Sequence, residues 1–232
     1  MEKIIVISAA GVGRRMKSIG PKCLIKLSNR QTILSRQIKI FKKIFPNFNI
    51  VVVVGFQKEK IKDRFHGEVF FVDNDNYMDN NVGKSFLLAL EEHKPKEAIL
   101  VCGDLVFSKN IFDKCPMNSP WVMIDTNLEH RSSEVGCTIF ETNVIHMSYG
   151  IWPKWAQIIY LKEKEILAYG MVLKNKKANR WFAFEFINEI ISYGFSFVAF
   201  SPKKAKIVEV DTLQNLSEAK LILAKNNGQK PE

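Results

Sequence analysis

The N-terminal segment constrains the fold of this chain more than any other stretch. An apolar run from Ile4 to Ile7 leads into small residues and then into a glycine-rich, basic loop that reaches Met16. A short, uninterrupted apolar run of this kind is typical of a strand buried on both faces, as in parallel sheets covered by helices. Glycines directly after the strand let backbone N–H groups approach an anion closely. The segment therefore predicts an α/β sheet with an anion-binding loop after its first strand.

The first half of the chain alternates between strand-like and helix-like segments. They follow one another as strand 3–8, helix 32–45, strand 49–54, helix 57–65, strand 69–72, helix 84–93 and strand 98–102. Because parallel strands need long crossover connections, this alternation predicts a mostly parallel, doubly wound sheet with right-handed crossovers.

The order of segments changes in the second half of the chain. Segments 120–125, 135–141 and 156–161 are strand-like with less helix between them, which favours strands added at or near a sheet edge. The remaining segments are helix 181–193, strands 195–200 and 205–210, and helix 212–225, with Thr212 placed to help cap the last helix. The expected fold class is α/β, a Rossmann-like three-layer α/β/α sandwich with a mixed, mostly parallel central sheet.

Length and composition limit the class of protein. At 232 residues the chain suits one domain, and its 47% hydrophobic and 25% charged residues are ordinary for a globular protein. The net charge of +10 favours an anionic partner, which leaves nucleotides, phosphorylated metabolites, nucleic acid and membrane surfaces open. Isolated cysteines predict reduced thiols. Without a signal-peptide core or a run of about 20 apolar residues, we expect a cytoplasmic protein with no membrane insertion.

The glycine-rich loop differs from two common phosphate-binding motifs. A P-loop requires Gly-Lys followed by Ser or Thr, but Gly13 is followed by two arginines. A dinucleotide fingerprint requires a third glycine where Met16 stands. In contrast, Ala9 to Met16 followed by Pro21-Lys22 resembles the signature of the nucleotidyltransferase superfamily that makes nucleotide-activated sugars, polyols and alcohols.

The resemblance to nucleotidyltransferases extends along most of the chain. Asp104, after a predicted strand, resembles the metal-binding aspartate of the family, and Asp211 resembles the second metal position. Asn81 and Ser85 resemble the helix start near the base and the ribose. Among subfamilies the chain looks most like the cytidylyltransferases that act on phosphocholine and related phospho-alcohols, mainly over residues 74–90.

The resemblance implies a reaction in which a substrate phosphate attacks the α-phosphorus of a nucleoside triphosphate, with CTP favoured, and pyrophosphate leaves. The acceptor is then a phosphorylated alcohol or sugar such as phosphocholine. Arg15 and Lys22 are the implied catalytic cations, at the β/γ-phosphates and the α-phosphate, and Asp104 and Asp211 are the implied ligands of Mg²⁺. The implied nucleotide-binding residues are Ala9, Ala10, Gly11, Gly13, Arg15, Lys22, Asn81 and Ser85.

The resemblance also implies how the single domain, 1–232, is divided. Residues 1–115 form the nucleotide-binding half, 116–204 the acceptor-binding part, and 205–225 the second metal position with the C-terminal helix. The acceptor-binding part is rich in aromatic residues, whose faces bind quaternary ammonium groups well, but core packing explains them equally. The aromatic residues in question are Tyr149, Trp152, Trp155, Tyr160 and Trp181.

Several individual assignments have a structural alternative. Gly11 and Gly13 suit a tight turn, Asp104 a solvated turn, and Asp211 the cap of the last helix. Glu209 lies on the same strand face as Asp211 and either assists with the metal or faces solvent. Asn81 and Ser85 alternatively supply loop polarity and a helix-start hydroxyl. The basic residues Lys174, Lys176, Lys177 and Arg180 either meet a substrate phosphate or form a solvated loop.

Other functions remain open at this point. A molybdenum-cofactor guanylyltransferase shares the opening signature and would prefer GTP, and a sugar-1-phosphate nucleotidyltransferase would use another nucleotide. A glycosyltransferase uses a similar sheet but would not release pyrophosphate. A nucleic-acid-binding module would fit the charge, but no predicted strand surface interleaves basic with aromatic residues, so no nucleic-acid partner is expected. The base, the acceptor and the oligomeric state are left open.

Overall fold

The computed structural model describes residues 1–13, 20–127, 132–172, 178 and 180–226, with side chains described as far as residue 223. Its strands are β1 (Lys3–Ala9), β2 (Lys26–Ser28), β3 (Gln31–Thr32), β4 (Asn49–Val54), β5 (Phe70–Asp73), β6 (Glu97–Cys102), β7 (Leu105–Phe107), β8 (Trp121–Asp125), β9 (Val135–Phe140), β10 (Asn143–Tyr149), β11 (Lys154–Lys162), β12 (Phe197–Phe200) and β13 (Ile207–Glu209). Its helices are α1 (Ile33–Ile44), α2 (Lys58–Phe65), α3 (Val82–His93), α4 (Glu163–Val172), α5 (Ala183–Ser192) and α6 (Leu213–Asn226).

A nine-stranded mixed sheet organises the described part of the chain, in the order β5-β4-β1-β6-β11-β8-β12-β10-β9. The first four strands in this order are parallel to one another, β11 is antiparallel to both of its neighbours, and β12 is parallel to β8. Strand β10 is antiparallel to β12 and β9. The predicted α/β class and mixed sheet are therefore confirmed, with seven of the nine strands pointing one way.

Five of the helices fall into two groups by their contacts. Helices α3, α4 and α5 contact one another and the strands beneath them, whereas α1 contacts β3 and β7, and α6 contacts β2, β7 and β13. The three-layer arrangement as such stays a prediction. None of the described helices combines the length and the apolar character that a membrane crossing requires.

The expectation that the later strands lie at or near an edge of the sheet was wrong for β11 and β8. Strand β11 lies between β6 and β8 in the middle of the sheet, and Ile158 to Leu161 are completely buried. Sequence order does not reveal this insertion, because the pairing partners of β11 are far away along the chain. The edge assignment holds for β9. The sequence analysis also missed β10 and α4.

Local sequence explains where the first helix begins and what it covers. The hydroxyl of Thr32 accepts a hydrogen bond from the backbone of Ser35 at 3.3 Å, and the Ser35 hydroxyl accepts one from the backbone of Thr32 at 2.8 Å. This reciprocal cap satisfies N–H groups that have no partner within the helix. The predicted apolar face, with Leu34 and Phe41 at its centre, is buried, and the Phe41 ring packs against Phe107 of β7 and Phe112.

Three contacts bring the ends of β1, β6 and β13 together. The backbone of Gly103 donates to the Ser8 carbonyl at 2.8 Å, and a Cβ on Gly103 would lie 2.6 Å from that oxygen. Gln37 of α1 donates to the carbonyls of Cys102 and Leu105, each at 2.9 Å, on either side of Asp104. Strand β13 pairs with β7, with Glu209 opposite Leu105, so the end of β13 lies beside the turn that carries Asp104. The turn that carries Asp104 is thus held from two sides.

Candidate active site

A cleft of about 610 Å³ lies beside the carboxyl ends of β1 and β6. One side is built from the N-terminal loop and the acidic turns, and the other from the later strands and the start of α5. The first side presents Ala9, Gly11, Gly13, Lys22, Asp104 and Asp211, and the second presents Glu134, Tyr149, Lys154, Trp155, Phe182 and Phe184. Open α/β sheets bind ligands at this position, beyond the carboxyl ends of their strands.

The glycine-rich loop borders the cleft as the sequence predicted. Gly13 has φ 65°, which favours glycine, and a Cβ on Gly11 would meet no protein atom within 4 Å among the described residues. Protein packing therefore does not require glycine at position 11, whereas close approach of a ligand to the backbone would. Ala10 is buried, its carbonyl accepts a hydrogen bond from the backbone of Phe56, and it does not line the cleft. Arg15 lies outside the described residues.

Asn81 and Ser85 do not line the cleft, although Val82 between them does. The Asn81 amide donates to the backbone carbonyl of Arg180, and Asn81 makes no side-chain cap for α3. The Ser85 hydroxyl is buried and accepts a hydrogen bond from Asn74 at 3.0 Å. Both residues thus have structural partners, and their contact with a nucleotide stays a prediction.

Three carboxylates converge on the first side of the cleft, where the resemblance implies that the nucleotide binds. Asp104, Glu209 and Asp211 each offer an oxygen, and these oxygens lie within 4.8 Å of one another. Glu209 and Asp211 reach the cluster together because alternate residues of an extended segment share a face. Thr212 caps the last helix, since its hydroxyl accepts a hydrogen bond from the backbone of Asn215. The sequence left open whether Glu209 assists with the metal or faces solvent, and its carboxylate lies in the cluster.

Lys22 bridges this acidic cluster. Its ammonium donates to Asp104 Oδ2 at 2.7 Å and to Asp211 Oδ1, and its side chain is 14% exposed. Burial acts to lower the pKa of Lys22, but the adjacent Asp104 and Asp211 carboxylates outweigh it and raise the pKa above the ordinary lysine value. The ammonium is therefore charged throughout the physiological range.

Glu209 is the carboxylate whose ionisation is opposed. Burial, followed by repulsion from Asp104 and Asp211, raises the pKa of Glu209 to about 7, while Lys154 and Lys22 act in the opposite direction. The amide of Gln157 donates to Glu209. Gln157 itself has φ 57°, at an irregularity in the pairing of β11 with β8 between Trp155 and Ile159. A residue other than glycine with a left-handed backbone conformation inside a strand is unusual, and such residues cluster at functional sites.

The acidic cluster fits a divalent cation. Its donors are carboxylate oxygens, which Mg²⁺ prefers. Within the described part of the chain, Oδ1 of Asp104 is buried and has no hydrogen-bond partner, which leaves a ligand atom available. One positive charge from Lys22 faces three carboxylates, so the cluster can accommodate further positive charge. Asp104, Glu209 and Asp211 are accordingly the residues that could hold Mg²⁺.

Aromatic rings line the second side of the cleft, where the resemblance implies that the acceptor binds. The Tyr149 ring meets Phe184 edge-on at 5.6 Å between centroids, and Phe182 stacks on Phe184 at 6.1 Å. Tyr149 is 51% exposed and Phe182 44% exposed, so ring surface remains accessible to a ligand. Phe182 and Phe184 were not predicted to line a binding site, because apolar residues at the start of a helix are typical of the hydrophobic core. Their signal would have been their position directly after the aromatic Trp181.

The five aromatic residues singled out from the sequence divide between the cleft and the core. Tyr149 and Trp155 line the cleft. Tyr160 is fully buried and its hydroxyl donates to Glu97 at 2.7 Å, and Trp181 packs edge-on against Phe186. Trp152 is half-exposed and does not line the cleft. The substrate-binding and core-packing alternatives therefore each apply to some members.

A second ion pair, which the sequence did not predict, lies on the second side of the cleft. Lys154 Nζ is 3.0 Å from Glu134 Oε1, with side chains 14% and 24% exposed. Of the basic residues that the sequence analysis proposed for a substrate phosphate, Arg180 is exposed and does not line the cleft. Lys174, Lys176 and Lys177 lie outside the described residues.

The first half of the chain is similar to a known family of domains. Residues 5–115 match the MobA-like NTP transferase domain. Over 102 residues the chain is 34% identical to the bifunctional protein GlmU of Francisella tularensis subsp. novicida, which covers 44% of this chain. The matched segment spans only 22% of the length of that protein.

Solved structures share the fold over nearly the whole chain. The CTP:phosphocholine cytidylyltransferase LicC of Streptococcus pneumoniae has a TM-score of 0.74 and 18% identity, over 96% of this chain and 100% of that one. The inositol-1-phosphate CTP transferase of T. maritima has a TM-score of 0.77 and 16% identity, over 99% and 98%. A nucleoside-diphosphate-sugar pyrophosphorylase of Vibrio cholerae RC9 has a TM-score of 0.74 and 12% identity, over 94% and 100%.

Proposed function

We propose that this protein, whose residues 5–115 match the MobA-like NTP transferase domain, is a nucleotidyltransferase. It transfers a nucleoside monophosphate to a phosphorylated small molecule and releases pyrophosphate. The observation that carries the proposal is the meeting of a glycine loop, a buried lysine and three carboxylates in one cleft. A polyphosphate needs backbone donors and cations, and a metal-bound polyphosphate needs carboxylates as well.

The residues support an in-line displacement at the α-phosphorus. Backbone groups at Gly11 and Gly13 receive the triphosphate, and Lys22 moves from its carboxylate partners to the α-phosphate as charge develops there. An acceptor phosphate is already ionised at neutral pH, so no general base is needed and catalysis rests on positioning and charge neutralisation. Asp104, Glu209 and Asp211 would hold Mg²⁺, which supplies positive charge at the phosphate oxygens when bound.

Among possible substrates we favour CTP and a phospho-alcohol such as phosphocholine. Two of the structural relatives are, by name, a CTP:phosphocholine cytidylyltransferase and an inositol-1-phosphate CTP transferase. The exposed faces of Tyr149 and Phe182 suit a cationic head group. A sugar-1-phosphate substrate is the second candidate, because a sugar-nucleotide pyrophosphorylase shares the fold as well.

The nucleotide is identified first by ligand-dependent stabilisation. Each nucleoside triphosphate is added with Mg²⁺, and the preferred one at 100 times its Kd should stabilise the protein by about 2.7 kcal/mol. Preference for GTP over CTP would favour a guanylyltransferase instead.

The reaction is then tested by pyrophosphate release from the preferred nucleotide with phosphocholine, other phospho-alcohols and sugar 1-phosphates. Release that requires one acceptor supports the proposal and identifies the substrate. If no pair supports release, the catalytic proposal is wrong. Affinity for nucleic acid that falls steeply with salt would then point to a binding module.

A further inference from the structure

We propose that Lys154 is the residue that binds the phosphate of the acceptor, and that Glu134 holds its ammonium in position for that contact. The proposal rests on the proposed nucleotidyl transfer and adds a specificity-determining residue to it. It follows from where the two cations of the cleft lie and from what already surrounds each of them.

Lys154 lines the same cleft as the acidic cluster and the aromatic wall. It begins β11, where it pairs with Asp125 and Gly136 on two neighbouring strands, so its backbone is anchored from both sides. Trp155 next to it lines the cleft, and Gln157 further along the same strand binds Glu209.

The reaction brings together two anionic groups, and the described lining of the cleft contains two cations. These are Lys22 and Lys154. Lys22 belongs to the nucleotide side, since it bridges Asp104 and Asp211 beside the glycine loop. A phosphate monoester carries a charge of about −1.5 to −2 at neutral pH and would approach a cluster of three carboxylates. Lys154 is the described cation placed to offset that repulsion on the acceptor side.

The ion pair with Glu134 holds the Lys154 ammonium in position before the acceptor binds. The 3.0 Å ion pair fixes a long side chain that would otherwise lose conformational freedom when it binds. An ammonium has three donors, so Lys154 can keep Glu134 and still donate to a phosphate oxygen. The Glu134 backbone also accepts a hydrogen bond from Gly150 at 2.9 Å, next to Tyr149 of the wall. The ion pair is therefore tied to the wall that would receive the organic part of the acceptor.

The chemical step is balanced without a proton on Lys154. A bond forms between an oxygen of the acceptor phosphate and the α-phosphorus, and the bond from the α-phosphorus to the bridging oxygen breaks. Pyrophosphate departs with that electron pair. Lys154 stays charged and keeps its hydrogen bond to the attacking phosphate group, so its effect is on acceptor binding and alignment.

The test compares a phosphomonoester with the alcohol that lacks the phosphate. Wild type, Lys154→Met and Lys154→Arg are assayed with the nucleotide and phosphomonoester that the wild type uses, with phosphocholine as the first probe. The corresponding alcohol, choline, is measured as an inhibitor. Lys162→Met is the matched control, because Lys162 ends the same strand and donates to the Asn118 carbonyl away from the cleft.

We expect Lys154→Met to raise KM for the phosphomonoester by about 10- to 100-fold, the usual effect of losing a hydrogen bond to a charged group. KM for the nucleotide and the inhibition constant of choline should change less than about twofold, because Lys154 contacts neither ligand in this proposal. Lys154→Arg should recover part of the affinity, and Lys162→Met should behave as the wild type.

Three outcomes would overturn the assignment. Equal weakening of phosphocholine and choline would show that Lys154 supports the wall, and a raised KM for the nucleotide alone would place it on the other side of the cleft. An unchanged KM for the phosphomonoester would exclude the contact. If Lys154→Met does not fold, Lys154→Gln gives the same comparison. A wild type inactive with every substrate pair refutes the proposed function itself, and this inference with it.

Discussion

The ammonium of Lys22 lies 2.7 Å from Oδ2 of Asp104, although 82 positions separate the two residues in the sequence. The same ammonium also donates to Asp211 at the other end of the chain. Lys22 therefore occupies, with its charge, the place between carboxylates that a divalent cation would take. In the proposed reaction, binding of a metal–nucleotide complex would exchange these partners, because the carboxylates would hold the metal and the lysine would contact the phosphates.

This exchange predicts that Lys22→Met makes the metal-free protein less stable and more responsive to Mg²⁺. Removing one partner leaves partly buried carboxylates uncompensated, which should cost about 1–3 kcal/mol in the free energy of unfolding. Mg²⁺ without nucleotide should restore more stability to the variant than to the wild type, as measured by denaturant unfolding with and without the ion.

Lys58→Met is the matched control for this experiment, since Lys58 bridges Asp73 and Asp75 at 2.8 and 2.7 Å on the exposed surface. Its response to Mg²⁺ should equal that of the wild type. The interpretation of Lys22 as occupying a metal position is refuted if Lys22→Met and wild type respond to Mg²⁺ alike.

Asp104→Asn should abolish turnover and leave the fold intact. The substitution keeps the shape of the side chain but removes charge from the cluster, and metal-assisted charge stabilisation contributes several kcal/mol to such reactions. A loss of more than about 100-fold in kcat is therefore expected, since each 1.36 kcal/mol is tenfold in rate. Pyrophosphate release measures it, with the exposed Asp113→Asn as control. Activity within tenfold of the wild type would remove Asp104 from the reaction.

Two glycine variants should separate ligand binding from packing. Gly11→Ala adds a Cβ that meets no described protein atom, so stability should stay within about 0.5 kcal/mol while the nucleotide KM rises. Gly103→Ala brings a Cβ to 2.6 Å from the Ser8 carbonyl oxygen, and overpacking of this kind costs about 1–3 kcal/mol. Unfolding curves and nucleotide titrations measure both effects. Unchanged nucleotide affinity in Gly11→Ala would indicate that the loop only makes a turn.

Glu209→Gln should change the pH dependence of stability in the metal-free protein. The pKa of Glu209 is raised from 4.5 to about 7, so the folded state binds this proton more tightly than the unfolded state does. The wild type therefore loses stability as the pH rises from about 4.5 to 7. The variant lacks this loss and should be more stable than the wild type by about 1–3 kcal/mol at pH 8, with little difference at pH 5.

Unfolding in the presence of EDTA at the two pH values tests this prediction. The exposed Glu91→Gln serves as control and should follow the wild type at both. If the difference in stability between Glu209→Gln and wild type is the same at pH 5 and pH 8, the surroundings of Glu209 do not raise its pKa.

Tyr149→Ala should weaken a cationic acceptor and leave the nucleotide unaffected. A cation over an aromatic face contributes about 0.5–2 kcal/mol, which corresponds to a two- to thirtyfold rise in KM for phosphocholine. KM for a phospho-alcohol without a cationic group should rise less. Tyr193→Ala, at an exposed helix end, is the control. Equal effects on both acceptors would indicate that the ring contributes packing only.

Much of the nucleotide side was predictable because its signals are local. The apolar run of β1 and the helical spacing of α1 each correspond to one element, and the glycines directly follow the strand whose end they extend. Lys22, Asp104 and Asp211 were assigned by resemblance, and the structure brings all three together.

The acceptor side was less predictable because its residues have no local signature. Lys154 and Glu134 are an ordinary lysine and glutamate in the sequence, and they form a pair only because β11 and the start of β9 meet in the sheet. Phe182 and Phe184 fit the apolar pattern of a buried helix start, yet Phe182 is 44% exposed beside the cleft. Periodicity reports which residues avoid water on average and does not identify those that border a ligand.

The sequence by itself determined the α/β class, the first strand with its glycine loop, and the residue types that can hold a polyphosphate and a cation. Each of these depends on neighbouring residues, through side-chain periodicity and backbone freedom. Only the tertiary structure decided that β11 enters the middle of the sheet, that Glu209 joins Asp104 and Asp211, and that Lys154 faces the same cleft as Lys22. Those facts depend on strand pairings between segments distant along the chain, which residue types alone do not encode.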